Sequence, residues 1–142
     1  MILYCDTSAL IKLYLGEAES DLMLAEAQAA SVLAVCRITW AEAMAALARR
    51  AREVEVDSNV IEQARQRLQT HWARYAIVEV NQHLVELAGE HADTFALRGY
   101  DSVQLAAACV LRSQAQDVVR FACFDKRLRK AAKVLDIPVA GD

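Results

Sequence analysis

Short apolar runs alternate with longer amphipathic stretches along this whole chain, and that alternation constrains the fold more than any other feature. ILYC at the start predicts a strand over Ile2–Cys5, and a helix follows from about residue 7 to 15. ESDLMLAEAQAA predicts a second helix, SVLAVCRI a second strand, and TWAEAMAALARRARE a helix with Trp40, Met44 and Leu47 on one stripe. After Asp57 a long helix runs to about Tyr75, with Val60, Ile61, Ala64, Leu68 and Trp72 at helical spacing. Residues 77–80 predict a short third strand, and NQHLVELAGEHADTFAL a helix that Gly99 ends. YDSVQLAAACVLRSQ begins another helix, residues 118–124 form a β-branched and aromatic strand, DKRLRKAAKVL is a basic helix, and IPVA predicts a last short strand. Strands that alternate with helices imply an α/β fold whose parallel sheet is covered on both faces.

The 142 residues suit one domain over 1–142, and no linker, repeat or low-complexity tract divides them. At 56% hydrophobic and 25% charged residues the composition is that of a soluble globular protein. No run approaches the roughly 18 apolar residues of a membrane span. The first residues lack the pattern of a signal peptide, so a cytoplasmic location without membrane attachment is expected. Cys5, Cys36, Cys109 and Cys123 form no CxxC pair and lie in apolar surroundings, as reduced core cysteines do. His71, His83 and His91 fit no common zinc spacing and read as surface residues. No GxSxG, P-loop or dinucleotide fingerprint is present.

What remains for chemistry is a set of acids in particular places. Asp6 and Asp125 stand at the carboxyl ends of apolar strands, Glu42 in the first turn of the helix after the second strand, and Asp101 at the opening of a helix. Each is also a reasonable helix cap or dipole partner, and Thr39-x-x-Glu42 is a capping-box pattern. A parallel sheet, however, gathers its strand ends along one rim, where ligands bind at the reversal of strand order. Four carboxylates at one rim repel one another unless a cation intervenes, and oxygen-only donors suit Mg²⁺ or Mn²⁺. Without these four acids the net charge of −3 becomes +1. Lys12, Arg98, Lys126, Arg127, Arg129 and Lys130 lie near the acids in sequence and are candidates to hold a phosphate backbone.

The motifs around these acids resemble those of PIN-domain proteins, and specifically toxins of the VapC type. DTSALIKLYLGE resembles the family's opening motif, TWAEAMAALARR the segment of its acidic helix residue, LRGYDSVQLAAA its third motif and FACFDKRLRKAAKVLDIPV its final strand and helix. The resemblance covers nearly the whole chain. It implies a three-layer α/β/α sandwich with a central parallel sheet, and an Mg²⁺- or Mn²⁺-dependent endoribonuclease silenced by a cognate antitoxin. Asp6, Glu42, Asp101 and Asp125 take the four acidic positions; Asp6, Asp101 and Asp125 are the expected direct metal ligands. Thr7 and Ser8 match the hydroxyl-bearing positions after the first acid, with Ser8 placed to orient Asp6. Metal-activated water would attack an RNA phosphodiester, with Glu42 ligating through water or positioning the attacking water. The resemblance also implies a homodimer, consistent with the Ala- and Leu-rich segments DLMLAEAQAA and AEAMAALARR, and an antitoxin segment in a helical groove beside the acids.

Two other readings stand beside this one. An aspartyl phosphatase would use Asp6 as nucleophile, but such a site wants a second Asp two residues on, where Ser8 stands. A non-catalytic PIN-like binding module would ordinarily have lost one or more acids, and none is missing here.

Overall fold

A computed structural model describes residues 1–53 and 58–142. Its centre is a four-stranded parallel sheet of β1 (Ile2–Cys5), β2 (Val32–Cys36), β3 (Ala76–Val78) and β4 (Val119–Ala122), in the order β3-β2-β1-β4. Seven helices accompany it among the described residues: α1 (Thr7–Ile11), α2 (Ser20–Ala29), α3 (Thr39–Glu53), α4 (Ser58–His71), α5 (Gln82–Phe95), α6 (Gly99–Gln114) and α7 (Lys126–Val134).

The two-residue period of a strand sorts the core into two halves. Tyr4, Ala34, Cys36, Val119 and Phe121 face one side, where they pack with residues of α5, α6 and α7. Leu3, Cys5, Val35 and Ala122 face the other, against α1, α3, α4 and Met23 of α2. Both faces are covered, which explains why the strands read as continuous apolar runs rather than alternating ones. The result is the expected three-layer α/β/α sandwich.

The chain moves outward from β1 to β2 and β3, then returns to the other side of β1 for β4. The strand order therefore reverses between β1 and β4. There Ile2 pairs with Val119 and Cys5 with Ala122, and the Asp6 amide donates to the Ala122 carbonyl at 3.1 Å. Such a reversal opens a crevice at the carboxyl ends of the strands.

Several expectations are corrected. The first helix ends at Ile11 rather than near Leu15. The long helix stops at His71 and passes through a 3-10 turn, Trp72–Arg74; Val60 lies off its buried stripe at 46% exposed. Asp57, taken as the residue before that helix, lies outside the described residues. The third strand is shifted to Ala76–Val78, and Val80 is exposed. Gly99 does not end α5 but begins α6; the left-handed residue that closes α5 is Ala96, at φ 54°. IPVA forms a single parallel bridge, Phe121 with Val139, and not a strand. Pro138 has no amide hydrogen to extend a ladder, so only its carbonyl is used, accepting from the Phe121 amide at 2.8 Å.

The histidines are also not all at the surface. His91 is buried on α5 against Phe95, and His71 is half-buried with Nδ1 2.8 Å from the Tyr14 hydroxyl; His83 is exposed. All four cysteines are free thiols, with Cys109 half-buried and the others buried. Among the described residues no helix is long and apolar enough to cross a membrane.

Candidate active site

The four acids are delivered by four different connections to the carboxyl rim. Asp6 follows β1, Glu42 sits in the first turn of α3 after β2, Asp101 in the first turn of α6, and Asp125 between β4 and α7. Asp6 and Asp125 do cap helices. Asp6 Oδ1 accepts from the Ala9 amide at 2.8 Å, and Asp125 Oδ2 accepts from the Leu128 amide at 2.9 Å. In each case capping uses one oxygen. The other, Asp6 Oδ2 or Asp125 Oδ1, has no hydrogen bond among the described residues. A cap and a ligand are thus compatible roles for one carboxylate.

Ser8 donates to the same Asp6 oxygen at 2.9 Å, as expected of a residue that orients Asp6. Thr7 turns the other way and donates to Glu42 Oε1 at 2.8 Å. This corrects the capping-box expectation. Glu42 Oε1 is taken by Thr7 and by Gln104 Nε2, also at 2.8 Å, while Thr39 Oγ1 accepts from Gln104 at 3.0 Å. The Glu42 backbone amide bonds instead to the Ile38 carbonyl. Two side-chain donors hold the carboxylate over the rim, so it does not fold back on the α3 terminus.

Electrostatics ties the four together. Asp6 is 5% exposed, and burial is the main reason its acid is pushed up from 3.8 to about 6. The Ala9 and Ser8 hydrogen bonds oppose that rise, and the Asp101 and Glu42 charges add to it. Asp101 is likewise raised, first by burial and then by Asp125 and Glu42, with Arg98 pulling the other way. Burial pushes the Cys123 thiol up, and Asp6, Asp125 and Asp101 push it further, which places that thiol within the field of three of the acids.

A divalent cation fits this donor set in kind: carboxylate oxygens only, with burial and then their mutual charge raising two of the acids. Among the described residues no three His, Cys, Asp or Glu side chains close into a ready-made cage. Asp101 has no side-chain hydrogen bond among those residues, so neither of its oxygens is taken by a protein donor there.

The sequence-nominated cations are less uniform. Lys12 is paired with Glu17 at 3.3 Å and Glu19 at 3.0 Å, and its ammonium lies 5.1 Å from the Phe124 ring centre, so it is not free for phosphate. Arg129 is likewise structural, bonding to the Cys123 and Ala140 carbonyls and to Asp142. Arg98 stands exposed near Asp101. Lys126, Arg127 and Lys130 line an open groove of about 480 Å³ with Phe95 and Val134, Arg127 also donating to the Ala96 carbonyl.

Sequence reasoning missed Gln104 and Tyr4, and named Thr39 only as a capping partner of Glu42, not as an acceptor for Gln104. Gln104 is buried, and the Tyr4 hydroxyl donates to its Oε1. The signal was present: one amide in the otherwise apolar run VQLAAAC, one turn after Asp101, must be hydrogen-bonded if it is buried.

The PIN domain family matches residues 3–134. Ribonuclease VapC45 and Ribonuclease VapC49, from two strains of Mycobacterium tuberculosis (CDC 1551 / Oshkosh and ATCC 25618 / H37Rv), are each 31% identical to this chain over 139 residues, covering 98% of it and 94% of their own length. Among solved structures, a toxin-antitoxin complex from Klebsiella pneumoniae has a chain that shares the fold at a TM-score of 0.63 and 21% identity, over 88% of this chain and 87% of that one.

Proposed function

The chain belongs to the PIN-domain family, and from that premise we propose that it is an endoribonuclease, the toxin of a toxin–antitoxin pair. What supports the reading is that Asp6, Glu42, Asp101 and Asp125 each come from a different connection at the carboxyl rim of the sheet and are linked by the charge of their neighbours in the set. The names of its relatives and the toxin–antitoxin character of a structural neighbour support the same conclusion.

In this proposal Asp6, Asp101 and Asp125 would hold Mg²⁺ or Mn²⁺, Asp6 and Asp125 having one oxygen each that capping leaves free. Such a cation, when bound, supplies neutralisation of the phosphate charge and a lower proton affinity for water. Glu42, fixed through Oε1, presents Oε2 to orient the attacking water and take up its proton. Water oxygen bonds to phosphorus in line as the bond to the 3′ oxygen breaks, and the leaving oxygen is protonated from solvent. Lys126 and Arg127, with Arg98, hold the flanking RNA backbone. The protein acts in the cytoplasm as a homodimer, and an antitoxin segment with a basic side chain closes the acidic rim.

The test is cleavage of single-stranded RNA by the purified chain. Cutting with Mg²⁺ or Mn²⁺, no cutting in chelator, and cutting slowed by about 10²–10⁴-fold in Glu42→Gln are expected. Full activity after exhaustive chelation overturns the cation-dependent mechanism, and inert wild-type protein overturns the nuclease reading.

A further inference from the structure

We propose that Gln104 is a positioning residue that fixes Glu42 relative to Asp101 by bridging the two helical layers above the sheet. The inference rests on the nuclease reading and goes beyond its four acids. α6 packs on the sheet face that carries Tyr4, whereas α3 packs on the opposite face. The Gln104 side chain, 2% exposed, nevertheless reaches from α6 to α3. It does so at the strand ends, where the two layers are no longer separated by the sheet.

The amide has a distinct task at each end. Its Oε1 accepts from the buried Tyr4 hydroxyl on β1. Its Nε2 donates to Glu42 Oε1 at 2.8 Å and Thr39 Oγ1 at 3.0 Å, which uses both hydrogens; Thr7 Oγ1 lies farther, at 3.4 Å. The orientation is forced, because the flipped amide would set oxygen against a carboxylate oxygen. Glutamine is therefore specific here. Glutamate would face Glu42 with a second acid, asparagine is one methylene too short, and methionine fills the space without a donor.

Two donors from different elements, Thr7 after β1 and Gln104 in α6, meet on one oxygen of Glu42. Only Oε2 remains to act. Asp101 lies one turn before Gln104 on the same helix, so the amide that holds Glu42 also references it to Asp101. A loosened Glu42 would leave RNA binding intact and misplace the group that handles the proton.

The experiment compares wild type, Gln104→Met, Glu42→Gln and the double variant in single-turnover RNA cleavage with excess enzyme, and determines KM and kcat for the single variants. Melting curves verify folding. Gln104→Met is expected to lower kcat about 10–100-fold, as losing a partner that orients a site residue does, with KM within about twofold. In the Glu42→Gln background it is expected to cost less than about twofold more, since its effect runs through Glu42. Tyr4→Phe removes only the amide's anchor and is expected to show the same coupling with a smaller loss; it carries the cycle if Gln104→Met does not fold. Losses that multiply in the double variant, or a rise in KM at unchanged kcat, overturn the inference. A wild type that cuts no RNA overturns the underlying reading and this inference with it.

Discussion

Replacing Asp6 by Asn separates its service as a cap from its charge. Asn Oδ1 can keep the bonds from Ala9 and Ser8, because Asn caps helices about as well as Asp. What disappears is a buried carboxylate raised from 3.8 to about 6, mainly by burial. A folded-state value above the unfolded one means that ionisation opposes folding. The penalty is absent below pH 3.8, grows as pH rises, and is complete above about pH 6. At about 1.4 kcal/mol per pH unit the interval is worth about 3 kcal/mol. Asp6 is 5% exposed, so solvent screening removes little of this. For a chain of this size that corresponds to a Tm gain of about 5–10 °C for Asp6→Asn at pH 7.5 in chelator. By the same linkage the gain falls to roughly half at pH 5 and nearly vanishes by pH 4. Added Mg²⁺ should raise the wild-type Tm and leave the variant's nearly unchanged, since a ligand stabilises only the state that binds it. The assay is a set of thermal melts at three pH values, with chelator or Mg²⁺, beside RNA cleavage, which Asp6→Asn should abolish. A variant that melts no higher than wild type at pH 7.5, or whose gain is independent of pH, refutes the electrostatic reasoning. A variant that still cleaves RNA leaves Asp6 as a cap alone.

Two further outcomes follow from the same geometry. His91 carries a buried Nδ1 with no hydrogen-bond partner among the described residues, and burial lowers its basicity, so its protonation opposes folding as pH falls below 6.5. His91→Leu should stabilise by about 1 kcal/mol at pH 7.5 and by more at pH 5.5, the opposite pH trend to Asp6→Asn, as thermal melts at the two pH values will read. In RNA binding measured by fluorescence anisotropy with the Glu42→Gln protein, Lys126→Ala and Lys130→Ala should each reduce the salt dependence by about 0.7 in log–log slope. Lys12→Ala should leave that slope unchanged, because Glu17 and Glu19 already neutralise Lys12.

The layers and the rim were legible because they follow from short-range pattern. Continuous apolar strands demand two covering layers, and an acid after such a strand must lie at its carboxyl end. What the pattern did not reveal depends on three-dimensional accounting. Gly99 was read as a stop from residue type alone, whereas Ala96 takes the left-handed position and Gly99 starts α6. Glu42 was paired with Thr39 by local spacing, but its partners, Thr7 and Gln104, lie 35 and 62 residues away. Lys12 was nominated from its nearness to Asp6 in sequence, but the chain beyond the end of α1 at Ile11 brings Glu17 and Glu19 onto its ammonium. His91 occupies a polar stretch in sequence yet faces inward beside Phe95 on α5.

The central claim is that Asp6, Asp101 and Asp125 form one divalent-cation site in an RNA-cutting centre. Its most direct test is a Mn²⁺ titration followed by electron paramagnetic resonance, in which bound ion drops out of the free-ion signal. The wild type should bind Mn²⁺, the three single Asn variants should each weaken binding by at least about tenfold, and RNA cleavage should rise over the same Mn²⁺ range in which the wild type fills. Wild-type protein that binds no Mn²⁺ at millimolar concentration, or variants that bind it as tightly as wild type, would contradict the claim.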